Sequence, residues 1–246
     1  MPEVKELNGF RLTVGEVSTL TFNRPINIFS SAVLDEFAGA ISSLYGKAKV
    51  LLITAEGSTF MAGADIREMS GFTPDEAAVF ARLFRRAMDT VEGFPGPVIA
   101  AVNGFALGGG CELILACDLA VAAESAVFGT PEINLGIIPG GGGAKRLPDR
   151  IGRLKSRELI FTGKRIGADE AFKIGLINKV VPRGKLMDEA MGLANSIAAK
   201  PRQCLEAAKS LINSGSLEKE IGLWSGLFAF DEQKRLMEEF LAKKGS

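Results

Sequence analysis

Apolar and polar residues alternate along residues 10–14 and again along 17–23, with Gly15-Glu16 between the two runs. This pattern predicts a β-hairpin, ended by Asn23-Arg24-Pro25. The period then changes: Val33, Leu34, Phe37, Ala40, Ile41 and Leu44 recur at helical spacing and predict a helix over residues 31–44. Residues 50–55 are a short apolar run, read as a buried strand. Residues 57–65 read as a loop ending in Gly63-Ala64-Asp65, where Asp65 can cap a short helix over 66–69. Thr73, Pro74 and Glu76 mark a helix start, with a hydroxyl N-cap, a proline at the first position and a carboxyl completing a capping box. The stripe Ala77, Phe80, Phe84, Met88 and Val91 carries that helix to Gly93.

A further strand is predicted over residues 97–102, reversed at Asn103-Gly104. Three glycines follow, Gly108, Gly109 and Gly110, and then an apolar run from Cys111 to Cys117 with one charge, Glu112. The pattern is strand, tight turn, helix start. Residues 119–123 read as a strand and 128–132 as a loop. Four glycines at 140–143 lead into basic and helical segments, with helices over 168–176 and 185–199. From Pro201 onward strands disappear, and residues 201–214 and 217–244 are predicted helical throughout, the second with Leu223, Leu227, Phe230, Met237, Phe240 and Leu241 as its apolar members. A helical tail after a mixed α/β body fits a cap on its own core as well as a face packed on another subunit. The strand–strand–helix rhythm suggests a repeated unit, although no clean internal repeat is visible.

Composition narrows the chemistry. The chain has 246 residues, 47% of them hydrophobic, enough for one large domain or one domain with an appendage. Lys+Arg and Asp+Glu are both 29, so no global basic field argues for nucleic acid. The three cysteines, Cys111, Cys117 and Cys204, form no C-x-x-C pair, which points to a reducing compartment without structural disulfides or a zinc site. The opening MPEVKELNGF has neither an apolar signal core nor an Arg/Ser-rich transit pattern, and no apolar run spans a bilayer. A cytoplasmic protein without a membrane partner is therefore expected. There are no histidines, which removes Ser-His-Asp and Cys-His triads and imidazole metal sites. Proton transfer falls to Asp, Glu, Lys, Cys or the single tyrosine, Tyr45.

The first amides of a helix lack intrahelical partners and lie at its positive end. Glycines there let a ligand reach the backbone. Gly108, Gly109 and Gly110 thus offer N–H donors, with Glu112 one turn along the same face. Such a pair suits holding an oxyanion while moving a proton. The same residues equally describe a helix start built for close packing. Glu132 is the lone carboxyl in residues 126–138 and would have a raised pKa if buried, though a salt bridge or helix cap is the commoner fate. The glycines at 140–143, followed by Ala144-Lys145-Arg146, lack the Gly-Lys-Ser/Thr of a phosphate loop and read more simply as a turned connector. Gly63-Ala64-Asp65 is a further turn with free amides or, as simply, an ordinary capped turn.

Taken together, MAGADIREM, PVIAAVNGFALGGGCELILACDLAVA, FGTPEINLGIIPGGGGAKRL and FTGKRIGADEAFKIGLINKVV, in this order, closely resemble the enoyl-CoA hydratase/isomerase, or crotonase, superfamily over nearly the whole chain. The resemblance implies an α/β fold: a spiral of ββα units over residues 1–198 carrying an acyl-CoA site, with a C-terminal helical region over 199–246 that assembles homotrimers, often paired into homohexamers. It implies an oxyanion hole from the amides of Ala64 and Gly109, and two catalytic glutamates. Glu112 would act with the bound water as base, and Glu132 would supply the α-carbon proton. It places Ala62, Ala64, Asp65, Ile66 and Gly109 along the substrate, with Phe240 and Lys243 reaching coenzyme A from a neighbouring helix. No metal or separate cofactor is implied, since coenzyme A is part of the substrate. The expected reaction is reversible addition of water to a trans-2-enoyl-CoA, as in fatty acid β-oxidation. Isomerases of the family generally need only the glutamate matching Glu132, so having both favours a hydratase, with isomerisation, dienoyl-CoA hydration or C–C bond cleavage on the same scaffold as the alternatives that a substrate panel separates. Some relatives bind RNA, which the neutral charge argues against. One departure stands out: many members place three residues, often one basic, between N-R-P and N-A-L, whereas here Ile26 alone separates Pro25 from Asn27. That leaves Arg24, or a lysine elsewhere, to meet the coenzyme A phosphates.

Overall fold

The computed structural model describes residues 3–244, with the side chains of residues 3–242. The chain opens with an antiparallel meander of β1 (Glu3–Leu7), β2 (Phe10–Val14) and β3 (Val17–Phe22). Helix α1 (Ser31–Ser42) crosses to β4 (Val50–Ala55), which pairs parallel with β3. Three strand pairs with helices follow. The first is β5 (Thr59–Met61) after β4, then α2 (Ile66–Met69) and α3 (Pro74–Glu92). The second is β6 (Val98–Val102), β7 (Phe105–Leu107) and α4 (Gly109–Ala116). The third is β8 (Leu119–Ala123), β9 (Val127–Gly129), a 3-10 turn (Pro131–Leu135), α5 (Gly143–Ile151) and α6 (Arg153–Thr162). After β10 (Arg165–Gly167), α7 (Ala168–Lys173) and β11 (Lys179–Val181), only helices remain: α8 (Leu186–Ala198), α9 (Arg202–Ser214), α10 (Leu217–Gly226) and α11 (Asp231–Lys244).

Each pair divides between two sheets. The first strands join β1–β3 and β11 in a seven-stranded sheet in the order β1-β2-β3-β4-β6-β8-β11, and the second strands join β10 in a four-stranded sheet in the order β10-β9-β7-β5. This is the ββα spiral with a C-terminal helical region that the motifs imply. In the small sheet β5, β7 and β9 run parallel and adjacent, so three successive units end side by side. Ligands in open parallel sheets gather outside such strand ends.

The large sheet is covered on both faces, which explains why β4 and β6 are continuous apolar runs. On one face Leu51, Ile53 and Ala100 join the main core with Phe10, Phe22, Phe29 and Phe37. On the other, Val50, Leu52, Ile99 and Val121 meet Leu186, Ala190 and Ala194 of α8.

The structure corrects several expectations. The segment 57–65 contains β5, and 128–132 begins inside β9. Strands β1, β7, β10 and β11 have no counterpart in the sequence pattern. Four of these six, β5, β7, β9 and β10, are three-residue strands of the small sheet, too short for a period of two to register. The last helical stretch breaks at a 3-10 turn (Leu227–Ala229) and an extended Phe230. Within the tail, α9 caps its own body: Lys209 Nζ donates to Asp118 Oδ2 (2.7 Å) and the Gly96 carbonyl (3.0 Å). Among the described residues none after Lys209 is fully buried. Among them, too, no helix is long and apolar enough to cross a membrane.

Candidate active site

Residues just past the ends of β5, β7 and β9 come together as the candidate site. After β5, Gly63 takes φ +120°, a left-handed value that favours glycine. The chain then bridges to Phe29, whose amide donates to the Gly63 carbonyl (2.8 Å) and whose carbonyl accepts from Asp65 (2.9 Å). A parallel bridge of this kind uses the groups flanking Ala64 and turns the Ala64 amide to the other side. After β7, Gly108 takes φ +52° and opens α4, so the Gly109 amide stands at the first helical position without an intrahelical acceptor. Among the described residues neither the Ala64 nor the Gly109 amide has a hydrogen-bond acceptor. The two turns touch: a methyl placed on Gly63 would lie 3.6 Å from the Gly109 nitrogen.

Two carboxyls border these amides. Glu112, on the first turn of α4, is buried. Its Oε1 accepts from the amides of Gly141 (2.8 Å) and Gly143 (2.7 Å). Burial pushes its carboxyl up to about 7; the Gly143 amide opposes this, Glu132 adds to it, and the Gly141 amide and Arg146 oppose it. Glu132 stands in the 3-10 turn after β9, and the Gly108 amide donates to the Gly129 carbonyl (2.9 Å), tying the two strand exits together. A methyl on Gly108 would lie 3.1 Å from Glu132 Oε1. Glu132 Oε2 is buried without a hydrogen-bond partner among the described residues, and burial raises its pKa. An unpaired buried oxygen costs roughly 1–3 kcal/mol. The nearby Cys111 thiol is pushed up to about 12 by burial and then by Glu132 and Glu112, so it is held neutral.

The other expected positions divide. Asp65 spends its carboxylate on capping α2, accepting from the amides of Arg67 (2.9 Å) and Glu68 (3.4 Å). Ala62 donates its amide to the Asn27 carbonyl (2.8 Å), and Ile66 is exposed beside it. Arg24 is engaged within its own chain, where its half-buried side chain bonds Asn8 and packs over Gly9. Phe240 lines an apolar cavity of about 480 Å³ between α9 and α11 with Cys204 and Met237, apart from Glu112 and Glu132. The side chain of Lys243 lies outside the described residues.

Three contributors escaped sequence reasoning. Gly141 and Gly143 are the amide donors to Glu112, and Arg146 Nη1 donates to the Gly141 carbonyl (2.9 Å). The glycine run was visible, but no sequence signal joined it to a carboxyl about thirty positions earlier. Among the described residues no group of three or more His, Cys, Asp or Glu is placed to hold a metal ion.

Known proteins resemble this chain over nearly its whole length. The family described as Enoyl-CoA hydratase/isomerase matches residues 13–239. The chain is similar to the short-chain-enoyl-CoA hydratase of Clostridium acetobutylicum, 39% identical over 242 residues, covering 94% of this chain and 93% of that protein. It is equally similar to the crotonyl-CoA hydratase of Syntrophomonas wolfei, 39% identical over 241 residues, with 93% of each covered. Among solved structures, the enoyl-CoA hydratase of Bacillus anthracis superposes with a TM-score of 0.88 at 35% identity, over 98% of this chain and 96% of that one. The chain belongs to the enoyl-CoA hydratase/isomerase family.

Proposed function

We propose that this protein is an enoyl-CoA hydratase that adds water reversibly across the 2,3 double bond of a trans-2-enoyl-CoA, giving a 3-hydroxyacyl-CoA. One observation carries the reading: two buried-side carboxyls, Glu112 and Glu132, border two unpartnered amides, Ala64 and Gly109. The reaction needs an oxygen delivered to the β-carbon, a proton delivered to the α-carbon, and a place for the charge that forms between them. That charge collects on the thioester oxygen, where the Ala64 and Gly109 amides would receive it. Donors fixed before the reaction need no reorganisation, and each is worth about 3 kcal/mol of transition-state stabilisation.

Glu112, with Oε1 held by two amides, keeps its other oxygen for the attacking water. Its carboxyl, raised to about 7, is poised to accept a proton near neutral pH. Glu132, raised by burial, gives the proton to the α-carbon. The relatives named for short-chain and crotonyl substrates support a short acyl group. The exposed apolar residues of the last two helices support assembly into trimers or hexamers, with residues 199–246 as the assembling region. Phe240 and Lys243 would then meet coenzyme A from a neighbouring subunit.

The test is direct. Crotonyl-CoA, longer trans-2-enoyl-CoAs, a 3-enoyl-CoA and a cyclic dienoyl-CoA are each incubated with the protein and the products resolved by mass. A water adduct from crotonyl-CoA supports hydration. A shifted double bond without water addition assigns an isomerase instead.

A further inference from the structure

We infer that Arg146 is a positioning residue, whose buried guanidinium sets the Gly141–Gly143 loop and through it the direction of the Glu112 carboxyl. The inference rests on the role given to Glu112 above. Arg146 lies one turn into α5, yet its side chain turns back to that helix's own start. Nη1 donates to the Gly141 carbonyl (2.9 Å), while Gly141 donates its amide to Glu112 Oε1 (2.8 Å). One residue therefore carries Arg146 on its carbonyl and Glu112 on its amide. Gly142, at φ +102°, turns the chain so that the Gly143 amide falls on the same Oε1. A methyl on Gly142 would come within 2.4 Å of Arg146 Nη1, so loop and guanidinium are fitted to each other.

The guanidinium is anchored on its far side. Nη2 and Nε donate to Glu92 Oε2 (2.8 and 3.2 Å), and Nη2 also bonds Asp89. Both acids belong to α3, as do Phe84, which lies against Gly109, and Met88, which lies against Gly141. Helix α3 is thus one wall against which both the Gly109 amide and the Glu112 loop are set. The contrast with Lys145 is informative. That neighbour points outward, 76% exposed, and pairs with Asp149 one turn on, whereas the Arg146 side chain is 9% exposed. A cation needed only to join helices would be met by the two α3 carboxylates. The added bond to a main-chain carbonyl connects the pair to the site. The planar fork makes these bonds in fixed directions, which a lysine ammonium does not reproduce.

The charged groups around this pathway are Asp89, Glu92 and Arg85 on α3, Glu112 on α4 and Glu132 after β9. Arg146→Lys keeps the charge and loses the fork; Arg146→Met loses both. In Arg146→Lys we expect kcat for crotonyl-CoA hydration to fall by on the order of tenfold with KM nearly unchanged, because the carboxyl is misdirected rather than absent. Its Glu112 titration midpoint, followed by carboxyl 13C NMR and assigned with Glu112→Gln, should stay near that of the parent. In Arg146→Met the midpoint should rise, since a favourable cation is lost. In both, the amide resonances of Gly141 and Gly143 should move. Unmoved amide resonances in a folded variant overturn the inference, as does a kcat loss that only tracks the folded fraction. If the parent protein hydrates nothing, the functional reading fails, and the amide resonances still decide the role of Arg146. If Arg146→Met does not fold, Arg146→Lys decides by the same resonances.

Discussion

The ring of Phe84 lies directly over the Cα of Gly109: a methyl placed on that glycine would come within 2.4 Å of Phe84 Cζ. Phe84 is itself fixed in the core against Phe29 and Phe80. The contact leaves little freedom at the first residue of α4, and so aims its amide. Gly109→Ala should push the helix start away from Gly63 and separate the two amides. The expected loss in kcat is on the order of 10²-fold, the usual cost of one oxyanion donor. Steady-state hydration of crotonyl-CoA, read beside the melting midpoint, checks this. A variant that melts like the parent and keeps its rate would remove Gly109 from the mechanism.

Glu132→Gln separates binding from chemistry. Glu132 Oε2 has no partner among the described residues, so its removal as an acid breaks no hydrogen bond there. The variant should therefore fold at least as well as the parent and bind the 3-hydroxyacyl-CoA product with similar affinity. Its turnover should be nearly abolished, because an amide cannot exchange the α-carbon proton. Calorimetric binding and product formation measured on one preparation test both halves. Retained turnover would contradict the assigned role.

Glu112 makes a signed statement about pH. Its carboxyl titrates at about 7 in the fold, against 4.5 for an ordinary glutamate. The folded protein therefore holds this proton more tightly than the unfolded chain. The contribution is fully present below pH 4.5 and is lost as pH rises toward about 7. For a group this buried, the interval corresponds to about 3 kcal/mol. Glu112→Gln keeps an acceptor for the Gly141 and Gly143 amides but has no proton to lose. Urea unfolding of both proteins across this range should show the parent losing stability relative to the variant. Parallel curves would mean that Glu112 is ionised throughout.

These carboxyls show what the chain discloses before it is folded. Glu112 is legible because the glycines that free the helix amides are its neighbours in sequence. The capping box at Thr73 is legible for the same reason, and it forms as read, with Thr73 and Glu76 bonded reciprocally. Asp65, also read as a cap, is one. Local pattern does not disclose contact between distant segments, and for Ala64, Gly109 and Glu132 only the family resemblance implied it. Ala64, Gly109 and Glu132 meet because β5, β7 and β9 lie side by side, and those strands are three residues each. Their pairing is set by the longer β4, β6 and β8, one sheet away. The support that Gly141, Gly143 and Arg146 give to Glu112 likewise depends on how α5 settles against α3 and α4, which no local pattern encodes.

The last helices make the final prediction. Ile212, Leu217, Ile221 and Trp224 are 78%, 80%, 77% and 63% exposed, on segments that place nothing in the core after Lys209 among the described residues. A monomer in water seldom leaves so many large apolar side chains uncovered together. Identical chains can cover one another's patches in a closed ring. Ile221 is mostly exposed in its own chain, so Ile221→Glu should leave the fold intact and place a charge where a second copy would pack. Sedimentation should show the parent as a trimer or a multiple of it, and Ile221→Glu as a smaller species with the same circular dichroism. Hydration should weaken with it under the proposal that Phe240 and Lys243 of a neighbouring copy meet coenzyme A. A parent that sediments as a monomer at micromolar concentration would end the assembly argument, and with it the expected role of those two residues.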